Sequence, residues 1–358
     1  MIDTEQLDQS RDIQRRTGRN FHVATRLFPE RVRHATYVLY GFFRVADDVV
    51  DDAEAPPPAE QRAELARIRA EALGERSPTD PVLAAFSDLR TQYDIDEREV
   101  EEFLAAMERD VETARYRTFA ELERYLRGSA VAVAYMMLDV MGAVPERARP
   151  HARALGEAFQ LTNFLRDVRE DVLEYGRVYL PEATLTRHGA SVADVEALRF
   201  SPAFADAMRE ELRRAEKRYW TGVEGIQCLP ADCRFPVLLA AVLYADHHRL
   251  IRAQEYDVLS NRPTLSTRRR LSLAARTWWH WRRTDDPVAA FAAASSLGDD
   301  ARDVASAGAG ESARDDLRSV ADGSGLRAEN RSGLDRVTSP VRRALGALSA
   351  RVPSFLPK

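Results

Sequence analysis

The chain has 358 residues, 45% hydrophobic and 30% charged, which suffices for one large core or two small ones. Its formal net charge of -5 excludes a strongly basic nucleic-acid binder. Two cysteines, Cys228 and Cys233, cannot build a disulfide framework, and no nearby Cys/His set completes a zinc site, so both read as reduced thiols of a cytoplasmic protein.

The polar start MIDTEQLDQSRDIQRR lacks the apolar region of a secretion signal, and no run of about 18 apolar residues offers a membrane span. Lysine occurs only at Lys217 and Lys358, so nearly all positive charge is arginine. Codon bias is the ordinary reason. A few arginines can also serve diphosphate recognition, because the planar guanidinium binds oxyanions in a bidentate way.

Helical periodicity dominates, and no stretch alternates convincingly as a strand. Pro29-Glu30 opens a helix that runs through ATYVLYGFFRVADDVVDD and stops before Pro56-Pro57-Pro58. Inside it, ADDVVDD crowds four aspartates into residues 46–52. Such repulsion costs free energy unless something positive sits among the carboxylates. Two i,i+4 registers exist. Asp47/Asp51 extends back to Arg44 and Tyr40 as a polar stripe, whereas Asp48/Asp52 extends back to Val45 and Gly41. Asp47 and Asp51 are therefore expected to face inward, with Asp48 and Asp52 supporting them or facing solvent. Further helices are expected near 59–74, 80–92, 97–113, 118–142, 150–174, 202–226, 234–256 and 266–283, punctuated by Pro, Gly and Asn/Asp clusters.

The helix at 150–174 carries a second acidic pattern within EAFQLTNFLRDVREDVLEYGRVYLP. Asp167 and Asp171 lie one turn apart on one face, and Asn163 and Gln160 continue the stripe. Phe159, Leu161, Phe164, Leu165, Val168 and Val172 flank it. Carboxamides beside paired aspartates suit an enclosed pocket better than a solvated surface. Two helices bearing Asp-x-x-x-Asp across a cavity suit a hard divalent cation such as Mg²⁺, which is commonly shared between carboxylates and substrate phosphates. The competing reading pairs these aspartates with Arg44, Arg166 and Arg169 on helix surfaces, but two patterned copies favour the cavity.

Toward the C-terminus, His247 and His248 are adjacent on a helix and do not face one site, so they are read as structural. The stretch TWWHWRR at 277–283 suits either a membrane interface or closure of a helical bundle, with packing preferred. Regular texture stops near Pro287. The chain is thus divided into a helical domain, 1–287, and a tail, 288–358. Residues 288–337 bury too little apolar area to offset chain entropy and are expected to be mostly disordered. Residues 338–358 are basic, with Val341, Leu345, Leu348 and Val352 at helical spacing. A membrane-surface segment and a loosely packed tail helix both remain open.

QLTNFLRDVRED followed by GRVYLP resembles the second signature of the phytoene/squalene synthase family, whose members join two prenyl diphosphates head to head. LYGFFRVADDVVDD resembles the first signature, and RNFHVATRLFPERVR the lead-in before it. The resemblance spans roughly residues 15–275. It implies an all-α, single-domain, isoprenoid-synthase-type bundle around a central cavity. By that resemblance Asp47, Asp51, Asp167 and Asp171 hold Mg²⁺, or Mn²⁺ in its place, against the substrate diphosphates. Arg44 and Arg166 pair with phosphate oxygens, and Gln160 and Asn163 line the polar end. Tyr40 and Tyr125 stand near the reacting carbons, and Tyr244 and Arg262 form a later diphosphate-contacting pair. Tyr40 and Tyr125 are equally readable as core aromatics with satisfied hydroxyls, and Arg262 as a helix-end cap.

Three departures stand out. Asn20 replaces the family's Ser or Thr at the first diphosphate contact, and His22 replaces a Tyr. SAVAVA at 129–134 replaces a more glycine-rich segment, and Ser129 is read as a small cavity-lining residue without a chemical role. GRVYLP and QLTN are nearer to the carotenoid branch. The implied activity is condensation of two geranylgeranyl diphosphates, through a cyclopropyl (prephytoene) diphosphate, to phytoene, with no NADPH. The alternatives are use of farnesyl diphosphate to make squalene or dehydrosqualene, and a catalytically silent helical assembly partner. The apolar product implies peripheral membrane contact.

Overall fold

The computed structural model describes residues 24–51 and 56–297, so Asn20, His22, Asp52 and the segment 298–358 lie outside it. The described chain is all-α, with a single isolated bridge between Arg115 and Val178 as its only β pairing. The starts and stops follow from local chemistry. Helix α1 (Glu30–Asp51) begins after Pro29, whose carbonyl accepts from the amides of Val32 and Arg33. α2 (Pro58–Ala72) begins at the last of the three prolines. Side chains of Asp80, Asp96 and Thr118 accept from first-turn amides and so cap α3 (Pro81–Tyr93), α4 (Glu97–Asp110) and α5 (Phe119–Leu126).

α5 continues through a π turn, Arg127–Ala132, into α6 (Val133–Met141). Gly128 sits in that turn against α4, where a Cβ would lie 2.2 Å from the Glu102 carbonyl oxygen. α7 (Arg149–Tyr175) is the longest helix described, and Gly176 ends it with φ 64. The chain then returns along residues 114–117, with the Val178 amide donating to the Ala114 carbonyl and the Glu182 amide to that of Tyr116.

Two short helices follow, α8 (Glu182–Arg187) and α9 (Val192–Glu196), which are too brief for a periodic signal. The long helices α10 (Pro202–Glu224) and α11 (Ala231–Ala253) close the far side. α10 packs directly on α7: a Cβ on Gly222 would lie 2.7 Å from Leu155 Cβ and 2.8 Å from its amide nitrogen. His248 joins three helices, with Nδ1 3.0 Å from Glu216 Oε1 and Nε2 2.9 Å from Thr162 Oγ1. His247 is likewise buried. The structural reading of this pair therefore holds.

α12 (Thr267–Thr284) is fixed to α11 by Asp246, a fully buried carboxylate that accepts from Arg269 and Arg249. Trp278 and Trp281 pack against the core, while Trp279 is half-exposed. α13 (Pro287–Ala294) corrects the expected end of the packed region. Phe291 is fully buried, edge-on to Trp220 at 5.1 Å, and burial continues to Leu297. Alanines carry little periodic signal, and the apolar partner lies far away in sequence. Among the described residues no helix is long and apolar enough to cross a membrane.

Gly222→Ala should lower stability by about 1–3 kcal/mol, although alanine favours helix by up to ~1 kcal/mol, because Leu155 contributes backbone to the clash. A urea midpoint equal to or above that of the unaltered protein, at constant m value, would refute this.

Candidate active site

The helices surround a cavity of about 550 Å³. On α7 its lining runs Asp171, Asp167, Asn163, Gln160, Gly156, Ala152, a single stripe at steps of three and four. At 1.5 Å per residue that stripe spans roughly 28 Å. On α1 the lining runs from Asp51 and Asp47 through Arg44 and Tyr40 to Leu39 and Thr36. Both helices deliver their acids at the same end of the cavity. The other end is mainly apolar, built from residues such as Phe28, Met141, Ile226 and Leu229, with His151 among them.

The acidic pairs lie toward the C-terminal ends of α1 and α7, whose last turns hold no basic residue. The negative ends of two helix dipoles add to the crowding. Arginines of these helices and of distant segments converge on this end. Arg177, buried just beyond α7, donates to Asp51 Oδ1 at 2.8 Å, to the Val50 carbonyl at 2.9 Å and to the Asp110 carbonyl at 3.2 Å. It thus joins the last residues of α1 and α4 to the return segment. Arg166 grips both oxygens of Asp167, at 2.6 and 2.5 Å. Arg262 lies outside the cavity wall on the rim, donating to Asp167 at 2.8 Å and to Glu170 at 2.6 Å. Arg44 pairs with Asp48, which points to solvent.

These contacts divide the two readings of the aspartates. The ion-pair reading applies to Arg44 and Arg166, but Arg169 donates to the Leu259 carbonyl instead. Asp47 and Asp171 remain on the cavity wall without an arginine bonded to them among the described residues, and Asp171 Oδ2 is buried with no hydrogen-bond partner. Burial, and then the neighbouring Asp51, push the Asp47 carboxyl up to about 8. Burial, Asp167 and Glu170 push Asp171 up to about 8 as well.

Aromatic rings cover the wall just inside the acidic end. Tyr125 donates to Asp110 Oδ2 at 2.6 Å, and Phe164 stacks on Tyr179 at 3.9 Å and 7°. Burial and the Asp110 carboxylate hold the Tyr125 and Tyr179 hydroxyls well above the ordinary phenol range, so both stay protonated. Tyr40, Gln160, Asn163 and Tyr244 also line the cavity, Tyr244 with its ring 4.9 Å from Phe159. Ser129 is a cavity-lining residue, as its size suggested. Three wall residues are not singled out by the sequence pattern: Arg177, Tyr179 and Asp110. The first two lie inside the GRVYLP segment, so a signal exists. Asp110 carries no local pattern.

Among the described residues no group of three His, Cys, Asp or Glu side chains is placed to hold a metal ion unaided. The donor set nevertheless fits Mg²⁺. Asp171 presents an orphaned carboxylate oxygen, Asp47 has no arginine hydrogen-bonded to it among the described residues, and such an ion needs only one or two protein carboxylates when phosphate oxygens and water complete its shell.

The family model for squalene/phytoene synthase matches residues 14–269. The chain belongs to the squalene/phytoene synthase family. A phytoene synthase of Arthrospira platensis is 32% identical over 270 residues, covering 72% of this chain and 87% of the relative. One from Rhodobacter capsulatus is 30% identical over 77% of this chain and 82% of its own length. Among solved structures, a dehydrosqualene synthase superimposes with a TM-score of 0.69 at 25% identity, over 78% of this chain and 97% of that one. A squalene synthase of Alicyclobacillus acidocaldarius gives 0.61 at 25% identity, over 70% of this chain and 95% of the other. The squalene/phytoene synthase fold is thus an isoprenoid-synthase-type helical bundle, as the resemblance implied.

The raised Asp47 and Asp171 carboxyls set the sign of a pH effect. Without divalent cation, the folded protein holds protons that the unfolded chain releases above its ordinary value of 3.8. Stability from these groups is therefore full below about pH 4 and is lost as pH rises through 8. In metal-free buffer at pH 8, Asp47→Asn should raise the melting temperature. Scanning calorimetry that finds a lower value for Asp47→Asn would count against the crowding described here.

Proposed function

We propose that this family member joins two molecules of geranylgeranyl diphosphate head to head into phytoene, releasing two diphosphates and needing no NADPH. The observation that carries this reading is the polarity of the cavity: two acidic pairs and several arginines at one end, and a long, mainly apolar wall beyond them. Relatives described as phytoene synthases support the choice of product.

In this reading Asp47, Asp51, Asp167 and Asp171 hold Mg²⁺, or Mn²⁺ in its place. The bound cation would neutralise charge on the departing diphosphate. Arg44 and Arg166 bind phosphate oxygens, exchanging Asp48 and Asp167 for substrate. Arg262 and Tyr244 assist from the rim and the wall, and Asn20 takes the first diphosphate contact. Gln160 and Asn163 line the polar end beside the diphosphates. Breaking the C1–O bond of one substrate leaves an allylic cation. The double bond of the second attacks it, and loss of a proton closes the cyclopropyl ring. The remaining C–O bond then breaks, the skeleton rearranges, and a second proton is lost. The rings of Tyr40, Tyr125, Phe164 and Tyr179 present π faces to these cations. The enclosed wall keeps water from quenching them.

A second reading is use of farnesyl diphosphate to make dehydrosqualene or squalene, favoured by the structural likeness to a dehydrosqualene synthase. A silent assembly partner is a third. Purified protein with Mg²⁺ should convert geranylgeranyl diphosphate, without NADPH, to a C40 hydrocarbon with a central conjugated triene, detected by mass in the organic extract. A C30 product, or dependence on NADPH, would move the enzyme to the squalene branch. No product, together with no Mg²⁺-dependent thermal stabilisation by a diphosphate analogue, would leave the silent partner. Asp171→Ala should reduce turnover by about two orders of magnitude or more, and near-normal turnover would remove that residue from the metal site.

A further inference from the structure

We propose that the outer face of α12 is a docking surface for an anionic lipid bilayer, which brings the hydrocarbon end of the cavity beside the membrane. α12 contains six arginines and no acidic residue, in a chain whose net charge is -5. Asp246 accounts for Arg269. Arg268, Arg276, Arg282 and Arg283 are exposed and form no ion pair with a described residue. At 100° per residue these four and Trp279 fall within an arc of about 120°. The opposite face, with Leu273, Ala274 and Thr277, is buried.

Trp279 is one of three large hydrophobic side chains exposed among the described residues, with half of its surface in solvent, and the Arg283 guanidinium lies 4.0 Å over its ring. An amphipathic indole beside arginines suits the headgroup level of a bilayer. Four cations spread along about four helical turns match a diffuse anionic surface better than one acidic group.

The position of the face gives it a purpose. Gln227 Nε2 donates to the Asp285 carbonyl at 2.8 Å, tying the C-terminal end of α12 to the turn Gly225–Cys228. Gly225, Ile226 and the adjacent Leu229 line the apolar end of the cavity. The C-terminal end of the basic face, with Trp279, Arg282 and Arg283, thus lies beside the hydrocarbon end of the cavity. The docking surface stands on these contacts and not on the identity of the product.

The test uses the full-length protein and vesicles of phosphatidylcholine with or without phosphatidylglycerol, at low and high salt. The protein should co-sediment with the anionic vesicles only, and less so at high salt. A triple variant, Trp279→Gln with Arg282→Gln and Arg283→Gln, should bind about tenfold or more weakly at an unchanged melting temperature. Changing Arg342 and Arg343 of the tail to Gln should leave binding intact. Bromine-labelled acyl chains should quench the unaltered protein's tryptophan fluorescence more than that of Trp279→Phe, which guards against a misfolded triple variant. Equal binding to both vesicle types, undiminished binding by the triple variant, equal quenching of Trp279→Phe, or loss of binding through the tail substitutions would overturn the proposal.

Discussion

Like charge held at the ends of two helices is the constraint on which this structure turns. Asp47 and Asp51 close α1, Asp167 and Asp171 approach the end of α7, and the carbonyl ends of both helices add partial negative charge to the same volume. Left alone, such an arrangement would favour fraying or protonation. The fold answers with arginines drawn from distant sequence. Arg177 reaches Asp51 across 126 positions and Arg262 reaches Asp167 across 95. The compensation stops short of neutrality, since Asp47 and Asp171 keep carboxyls pushed upward by their surroundings. An incompletely balanced acidic end, enclosed by protein, is a standing demand for cation.

Much of the remaining architecture serves that end. The Arg177 guanidinium satisfies carbonyls of Val50 and Asp110, so one side chain both steadies helix ends and faces a carboxylate. The return segment that carries Arg177 also delivers Tyr179 onto Phe164. Asp110, whose carbonyl Arg177 holds, then fixes the hydroxyl of the neighbouring Tyr125. The π turn at Arg127–Ala132 lies directly after Tyr125, where Gly128 lets α4 approach closely. Departures from regular helix near functional walls are a common use of π turns.

The acidic register is legible in the sequence because the chemistry continues along it. Asp47 and Asp51 lead back to Arg44 and Tyr40, and all four line the cavity, whereas Asp48 points outward. The Gln160–Asn163–Asp167–Asp171 stripe is readable for the same reason. Arg177 stands inside a recognisable motif, yet its part stays hidden there, since its partners are set by tertiary contact and not by spacing. Asp110 ends a helix whose own pattern is ordinary, and only Tyr125 and Arg177 give it meaning. α8 and α9 escape a periodicity argument through brevity. α13 escapes through its alanines, which are buried because Tyr219 and Trp220 lie beneath Phe291. Long helices declare a face; short or alanine-rich ones take theirs from neighbours.

That the cavity has one polar end carries a geometric consequence for any pair of diphosphate-headed substrates within it. Both heads must lie at the aspartates, so both hydrocarbon tails must run side by side in the same direction. A bond made between the heads would yield a molecule folded like a hairpin, its new centre at the acidic end and both free arms against the apolar wall. Release is then more than dissociation, because a long chain that leaves extended must first open from a bent shape, and the first parts free to move are its two ends.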